Sequence, residues 1–336
     1  MFLLLPCVHY VQVATFAILF IMLKVSSSLP DIAVLRGGSK HFKQSLQDGG
    51  EVLSSLKKIG YNPIDVLVEK DGNWTQAGAP TDPHIIFTKS HTVIDTTKLD
   101  GEKYHDLAKR MGIHLHFTAS HAVPLDRESV YRLLRQQNIK VPNTFVIRAA
   151  SPLKGEIFRT LWTKYHTPLL VRPIKRHQDF PSRIVKMFTE LETVVRDYHE
   201  KGIDIHVLTY RGKVPVTSLA VLPNFRGEEV YTPLWVDVFP ENGELPHSES
   251  HMRPHLQAPD FRKEHMKDIA TKVYKALGVE TPVCIDFINH NNEQVVVNVD
   301  LSPSLRRDSR FMKSLATTGV DVGQYIHGCI HNDLER

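Results

Sequence analysis

Cysteine is scarce: Cys7, Cys284 and Cys329 are the only three among 336 residues, and they lie far apart. That spacing excludes a disulfide framework and a CxxC metal site, and it fits a reducing compartment. Charge of one sign is also lacking. Lys+Arg 41 against Asp+Glu 37 leave +4, too slight an excess to argue for nucleic acid as a partner. No internal repeat or low-complexity tract is present. With 42% hydrophobic and 23% charged residues, the chain has the composition of folded globular protein. At roughly 150 residues per domain, its length predicts two or three units.

No charged side chain occurs from Met1 to Leu23, and Val13–Leu23 reads VATFAILFIML. A run of this length reaches the roughly 20 residues that a membrane-spanning helix needs. Three readings of residues 1–30 stay open. One is an anchor, which Lys24, Arg36 and Lys40 would orient with the rest of the chain on the cytoplasmic face. The second is an over-long reading frame with its true start downstream. The third is a cleaved signal, although neither a leading cation nor an A-x-A-like site is there. The first two readings leave the working part cytoplasmic, tethered to the membrane by residues 1–23 in the anchor case.

Asp31–Arg36 reads as a strand entering the turn Gly37-Gly38-Ser39, and Gln47–Ile59 as a helix stopped by Gly60. Ile64–Val68 and Ile85–Phe87 are strand candidates, and Lys98–Met111 is a helix candidate. This alternation predicts a parallel α/β unit. Helix Asp126–Gln137, strand Thr144–Ile147, helix Gly155–Lys164, strands Pro168–Val171 and Arg183–Met187, and helix Thr189–Glu200 follow. From Ile203 the chain is strand-rich. A loop, Pro240–Asp260, leads to an amphipathic helix, Phe261–Leu277, and helix Val322–Asp333 closes the chain.

Between those last helices, Val283–Ile288 and Gln294–Leu301 form a hairpin pattern, C-I-D-F-I followed by V-N-V-D-L-S-P-S. Asn298 and Asp300, two residues apart, share a strand face, and Asp286 is positioned to face them. Three oxygen donors on one face suit Mg²⁺ (or Mn²⁺), which completes its shell with waters and phosphates. The competing reading is a pair of solvated turn-flanking acids. Other candidates are weaker. His247, His251 and His255 recur every fourth residue, but Pro254 interrupts any helix aligning them, so they read as a solvated loop. Gly37-Gly38-Ser39 alone is a weak phosphate cradle.

Five stretches together resemble the D-alanine–D-alanine ligase branch of the ATP-grasp superfamily, from about Asp31 to Arg336. They are I-A-V-L-R-G-G-S with S-L-Q-D-G; L-D-R-E-S-V-Y-R-L-L with N-I-K-V-P-N-T; T-P-L-L-V-R-P; I-A-T-K-V-Y-K-A-L-G followed by I-D-F; and N-V-D-L-S-P-S. The last two and their spacing are the specific ones. The resemblance implies an ATP-grasp fold of α/β and α+β class. Its units would be an N-terminal α/β domain at 31–122, a central subdomain at 123–209 and a C-terminal subdomain at 210–336 with the metal hairpin. It also implies an ATP- and Mg²⁺-dependent ligase that joins a carboxylate to an amine through an acyl phosphate, serves cell-wall precursor synthesis, takes small amino-acid substrates and forms a homodimer. Asp286, Asn298 and Asp300 would be metal ligands. Arg127 and Arg172 stand at the two ATP-phosphate lysines, with Lys175 adding charge nearby, and Ser309 matches the serine that holds a substrate carboxylate.

Several positions depart from that pattern. The family's metal Glu and Asn are Asn298 and Asp300 here, and both phosphate lysines are arginines, whose planar fork differs from a compact ammonium. The phosphate loop, Lys175-Arg176-His177-Gln178-Asp179, contains no glycine. Cys284 replaces an arginine that steadies the tetrahedral intermediate, and His41 replaces an amino-orienting glutamate. Val207-Leu208 occupies the acidic hinge, for which Asp204 is a nearby substitute. Three functions stay open at this level: the D-alanine–D-alanine ligase itself, a binding or scaffold protein on a decayed ligase frame, and a ligase of altered amino-acid substrate.

Overall fold

The computed structural model describes residues 29–39, 41–97, 102–116, 126–175, 180–211, 214–240, 251–291 and 293–334. Residues 1–23, and the anchor expectation with them, lie outside that set. Among the described residues no helix is long and apolar enough to cross a membrane.

Three sheets carry the chain. The first has strand order β4-β3-β2-β1-β5-β6, from β1 (Ile32–Gly37), β2 (Ile64–Val68), β3 (Trp74–Gln76), β4 (Ala79–Thr81), β5 (Thr92–Asp95) and β6 (His114–His116). Strand β1 pairs in parallel with β2 and β5, and β5 with β6, while β3 and β4 add an antiparallel hairpin at one edge. Ile32, Ala33, Val34 and Leu35 are all fully buried, as the central strand of a parallel sheet covered on both faces requires. Its helices are α1 (Phe42–Lys58), α2 (Pro83–Lys89) and α3 (Glu102–Arg110).

Helix α4 (Arg127–Gln136) comes next, with the Asp126 carboxylate accepting from Ser129 N at 2.7 Å as its N-cap. The second sheet is antiparallel, in the order β7-β10-β8-β9: β7 (Phe145–Ile147), β8 (Leu169–Pro173), β9 (Arg183–Val185) and β10 (Ile205–Thr209). Helices α5 (Glu156–Lys164) and α6 (Phe188–Glu200) cover one face, burying Phe158, Leu161, Val171, Leu191, Tyr198 and Val207 between them.

The third sheet runs β14-β13-β11-β15-β16, with β12 also on β11: β11 (Val216–Phe225), β12 (Glu228–Tyr231), β13 (Val236–Val238), β14 (Met252–Pro254), β15 (Val283–His290) and β16 (Glu293–Asp300). Helices α7 (Asp260–Leu277), α8 (Arg310–Ala316) and α9 (Val322–Leu334) complete the described chain. Val130 and Leu134 of α4 share a core with Met266, Ala270 and Val273 of α7. That helix therefore packs with the third sheet rather than with the second, which follows it in sequence. Phe311, Tyr325 and Ile326 join Ile32, Val52 and Leu56 in one core, so the first and third units are fused through apolar contact.

The element expectations hold with five exceptions. Ile85–Phe87, expected as a strand, lies inside α2: Asp82 caps the helix by accepting from His84 N at 2.7 Å, and Pro83 presets its first turn. The expected loop Pro240–Asp260 contains strand β14, which pairs Met252, Arg253 and Pro254 with β13. The β3–β4 hairpin and α8 have no counterpart in the pattern reading, because strands of three residues and a seven-residue helix are too short to show a period. Helix α1 starts at Phe42, five residues before the expected Gln47, and carries Gly49 and Gly50 within it.

Gly49 is required by contact with β1. A Cβ there would lie 2.6 Å from Arg36 Cβ and 3.1 Å from Thr96 Oγ1, whereas one at Gly50 would meet nothing within 4 Å. Alanine gains about 1 kcal/mol over glycine in a helix interior. Gly50→Ala is therefore expected to raise the melting temperature, and Gly49→Ala to lower it by a few degrees as overpacking of about 1–3 kcal/mol outweighs the helical gain. Thermal denaturation of the two variants side by side measures this.

Candidate active site

A cleft of about 1600 Å³ separates the second sheet from the β15–β16 hairpin. Alternation places its wall: Leu170 and Arg172 of β8 and Leu208 of β10 line it, while Leu169, Val171 and Val207 point into the α5–α6 core. On the opposite side the hairpin presents Cys284, Asp286, Asn298 and Asp300. Asp286 pairs directly with Asn298 and Cys284 with Asp300, and the register shifts between Asp286 and Phe287. The bulge leaves Val297 opposite no residue of β15.

That bulge matters because the Val297 carbonyl accepts from Tyr131 Oη at 2.5 Å and from both Arg172 Nη atoms at 3.3 Å. Arg172 also donates to Tyr131 Oη and lies over the Tyr131 ring at 5.6 Å. Arg172 is 6% exposed; a carbonyl and a hydroxyl meet its Nη atoms, while its buried Nε has no hydrogen-bond partner. His206 sits opposite Arg172 in the β8–β10 register, is fully buried, stacks on Tyr131 at 5.9 Å, and has no hydrogen-bond partner at either ring nitrogen. Burial, then the charges of Arg172, Arg127, Arg135 and Arg148, push its pKa down to about 3, so the ring is neutral.

Asp286 is saturated by the chain itself. Ser218 Oγ donates to Oδ1 at 2.5 Å, while Asn298 Nδ2 and Arg310 Nη1 donate to Oδ2 at 3.1 and 3.2 Å. Asp300 Oδ1 accepts from Ser302 N at 3.2 Å. The donors facing the cleft are thus carboxylate and amide oxygens, the chemistry of a hard divalent cation, with one Asp286 oxygen already shared with a guanidinium. No cluster of three or more His, Cys, Asp or Glu placed for a metal occurs among the described residues.

The structure brings Arg127, Arg172, Asp286, Asn298, Asp300 and Ser309 together on the cleft. Arg127 donates to Pro173 O at 2.7 Å. Ser309 caps α8, accepting from Met312 N at 3.1 Å and donating to Ser304 O at 2.7 Å. His41 lies apart, at the left-handed start of α1, in a cavity of about 440 Å³ with Lys43, Arg306 and Asp308 that meets the main cleft at Ser304 and Ser309. Lys175 is exposed just past β8, where its charge helps to lower Asp204, and is not on the cleft lining. Residues 176–179 of the expected phosphate loop lie outside the described set.

Asp204 is not on the cleft lining and is already paired. It accepts from Arg148 and from Ala149 N, both at 2.8 Å. Burial works to raise its pKa, but those two bonds and the Arg148 charge outweigh it and hold it below the ordinary carboxylate value. Leu208 lines the cleft at that level. The Gly37-Gly38 turn is no phosphate cradle either, since Gly37 N donates to Ser45 Oγ at 2.8 Å and Gly38 N to Val68 O at 2.7 Å. The histidine series does not converge: His255 bonds Asp237 and stacks on Trp235, His251 packs on Phe239, and His247 lies outside the described residues. The sequence reading missed Ser218, Tyr131, His206 and Arg310. Only Arg310, one residue past Ser309 in a motif already in view, had a local signal.

No protein-family model matches the chain. A solved D-alanine–D-alanine ligase from Coxiella burnetii superposes with a TM-score of 0.74 over 92% of this chain and 95% of its own, at 15% identity. The Bacillus anthracis D-alanine–D-alanine ligase complexed with ATP gives 0.69 over 91% and 98%, at 16% identity. These likenesses establish the fold, an ATP-grasp architecture behind an N-terminal α/β unit. In sequence, the D-alanine–D-alanine ligase of Desulforudis audaxviator is 22% identical over 316 residues, 91% of this chain and 99% of the relative. In sequence and in fold the chain is thus similar to D-alanine–D-alanine ligases along nearly its whole length.

The neutral His206 gives acid sensitivity a source. Its folded pKa lies below the unfolded value of 6.5, so the unfolded chain binds the extra proton and stability falls as pH drops through 6.5 toward 3. At pH 5 this site alone contributes a loss of about 2 kcal/mol relative to neutral pH. His206→Phe, which keeps a ring against Tyr131, is expected to flatten that part of the stability profile. Urea melts of both proteins at pH 7 and pH 5 read it, and equal losses in the two would sink the assignment.

Proposed function

We propose that this chain is an ATP-dependent ligase joining a carboxylate to an amine, with D-alanine as both substrates. The observation that carries the reading is the cleft. An oxygen-donor hairpin and two arginine-bearing elements face each other across it, within a fold matched along nearly its whole length by ligases of this specificity. Bound ATP and Mg²⁺ would supply the phosphoryl group that activates the carboxylate as an acyl phosphate, which the amine opens with release of phosphate.

The chain's own residues do the positioning. Asp300 and the Asn298 amide oxygen are the donors for Mg²⁺, and Asp286, braced by Ser218, orients Asn298. Arg127 and Arg172 present fixed positive charge where phosphate charge builds, and Leu170 and Leu208 form an apolar wall for the base. Ser309, which lines both cavities, would meet a substrate carboxylate on releasing its bond to Ser304 O, with His41 lining the smaller cavity. Dependence on ATP puts this activity in the cytoplasm. The unit boundaries 31–122, 123–209 and 210–336, the homodimer and tethering by residues 1–23 are part of the same proposal.

Purified protein is expected to release ADP only when D-alanine is present, and Asp300→Asn to lower kcat by on the order of 100-fold. Mg-ATP at about 1,000 times its Kd should add about 4 kcal/mol, a Tm rise of several degrees. Equally slow ADP release by wild type and Asp300→Asn, without a thermal shift, would return a frame that no longer uses nucleotide.

A further inference from the structure

We propose that Arg310 replaces one cation at the hairpin. The site then holds a single divalent ion, through Asp300 and Asn298, and the Arg310 guanidinium supplies the other positive charge facing the phosphates. This rests on the nucleotide reading above.

The observation is the occupancy of Asp286. Its side chain is 8% exposed, Ser218 takes one oxygen, and the other is shared by Asn298 Nδ2 at 3.1 Å and Arg310 Nη1 at 3.2 Å. A divalent ion on that second oxygen would have to share it with a guanidinium that cannot give up its charge. Asn298 has spent its nitrogen on Asp286, so its amide oxygen is the metal-type donor it retains. With Asp300, that makes one cation's worth of protein ligands, the rest of the shell being water and phosphate.

The placement of Arg310 supports this. It is the first residue of α8 after the Ser309 cap, where a cation opposes the helix dipole, so local helix electrostatics do not put it there. Its neighbours in sequence are bound elsewhere: Arg306 pairs with Asp308, and Arg307 with Glu51 at 3.3 Å. Of these three arginines, Arg310 lines the cleft, with its side chain 23% exposed. Asp286 and Asp300 thus face the cleft beside the Arg310 guanidinium.

Mn²⁺ titrated into wild type in excess over AMP-PNP, followed by the electron paramagnetic resonance of free Mn²⁺, counts the ions per bound nucleotide. One Mn²⁺ is expected in wild type and two in Arg310→Met, where the Asp286 oxygen becomes accessible; Arg310→Lys should stay at one. Two ions in wild type, or one in Arg310→Met, overturns the proposal. Should Arg310→Met fail to fold, Asp300→Asn decides: half-occupancy is expected to need at least tenfold more Mn²⁺, and an unchanged titration overturns the single-site assignment. Absence of AMP-PNP binding at any Mn²⁺ concentration, read by fluorescence anisotropy of a labelled analogue, overturns the nucleotide reading itself.

Discussion

The Val297 carbonyl is the point on which the cleft depends. A bulge in β16 turns it toward the second sheet, where Tyr131 and Arg172 close on it. A buried guanidinium without a carboxylate partner costs several kcal/mol unless its donors are met, and here a carbonyl and a hydroxyl meet the two Nη groups. The three residues come from α4, β8 and β16, so satisfying one charge fixes the spacing of both cleft walls. Burial, and after it the same charge, keep His206 neutral beneath the wall, because a second cation in that space would be desolvated and then repelled.

A second tie sets the Ser304–Ser309 end of the cleft. Asp48, fully buried in α1, accepts from Ser304 Oγ at 2.5 Å and Leu305 N at 3.2 Å, fastening the turn after β16 to the first unit. Ser309 and Arg310 follow from that turn at the start of α8, one capping the helix and the other reaching Asp286. Because the first and third units share a core, this segment is a fixed part of the cleft. The charges on this frame are divided between carboxylates and guanidinium groups: Asp286 is engaged by Ser218, Asn298 and Arg310, while Asp300 accepts from Ser302 N.

The fold was legible where the apolar period is long. Strand β1, helices α1, α4, α6 and α7, and the β15–β16 hairpin declare themselves by alternation, caps and glycine stops. Ile85–Phe87 misleads because three consecutive apolar residues fit a strand as well as a buried helical turn, and only Asp82-Pro83 decides between them. In the site, Asp286, Asn298 and Asp300 were legible because residues two apart share a strand face. The roles of Ser218, Tyr131 and His206 were not, for each lies 41 or more residues in sequence from the partner that defines it, as Tyr131 does from Arg172.

The amino-acid sequence by itself determined that Asn298 and Asp300 share one strand face, since side-chain direction along a strand follows from covalent geometry. Its five motif stretches, read together, also pointed to the fold that the solved structures share. What tertiary structure alone decided is which of those charges are already spent. Whether Asp286 faces a metal or an arginine, whether Gly37 and Gly38 offer their amides, and whether Asp204 or Leu208 meets the cleft depend on contacts between distant segments. Local sequence places a donor or acceptor, but long-range packing sets its partner.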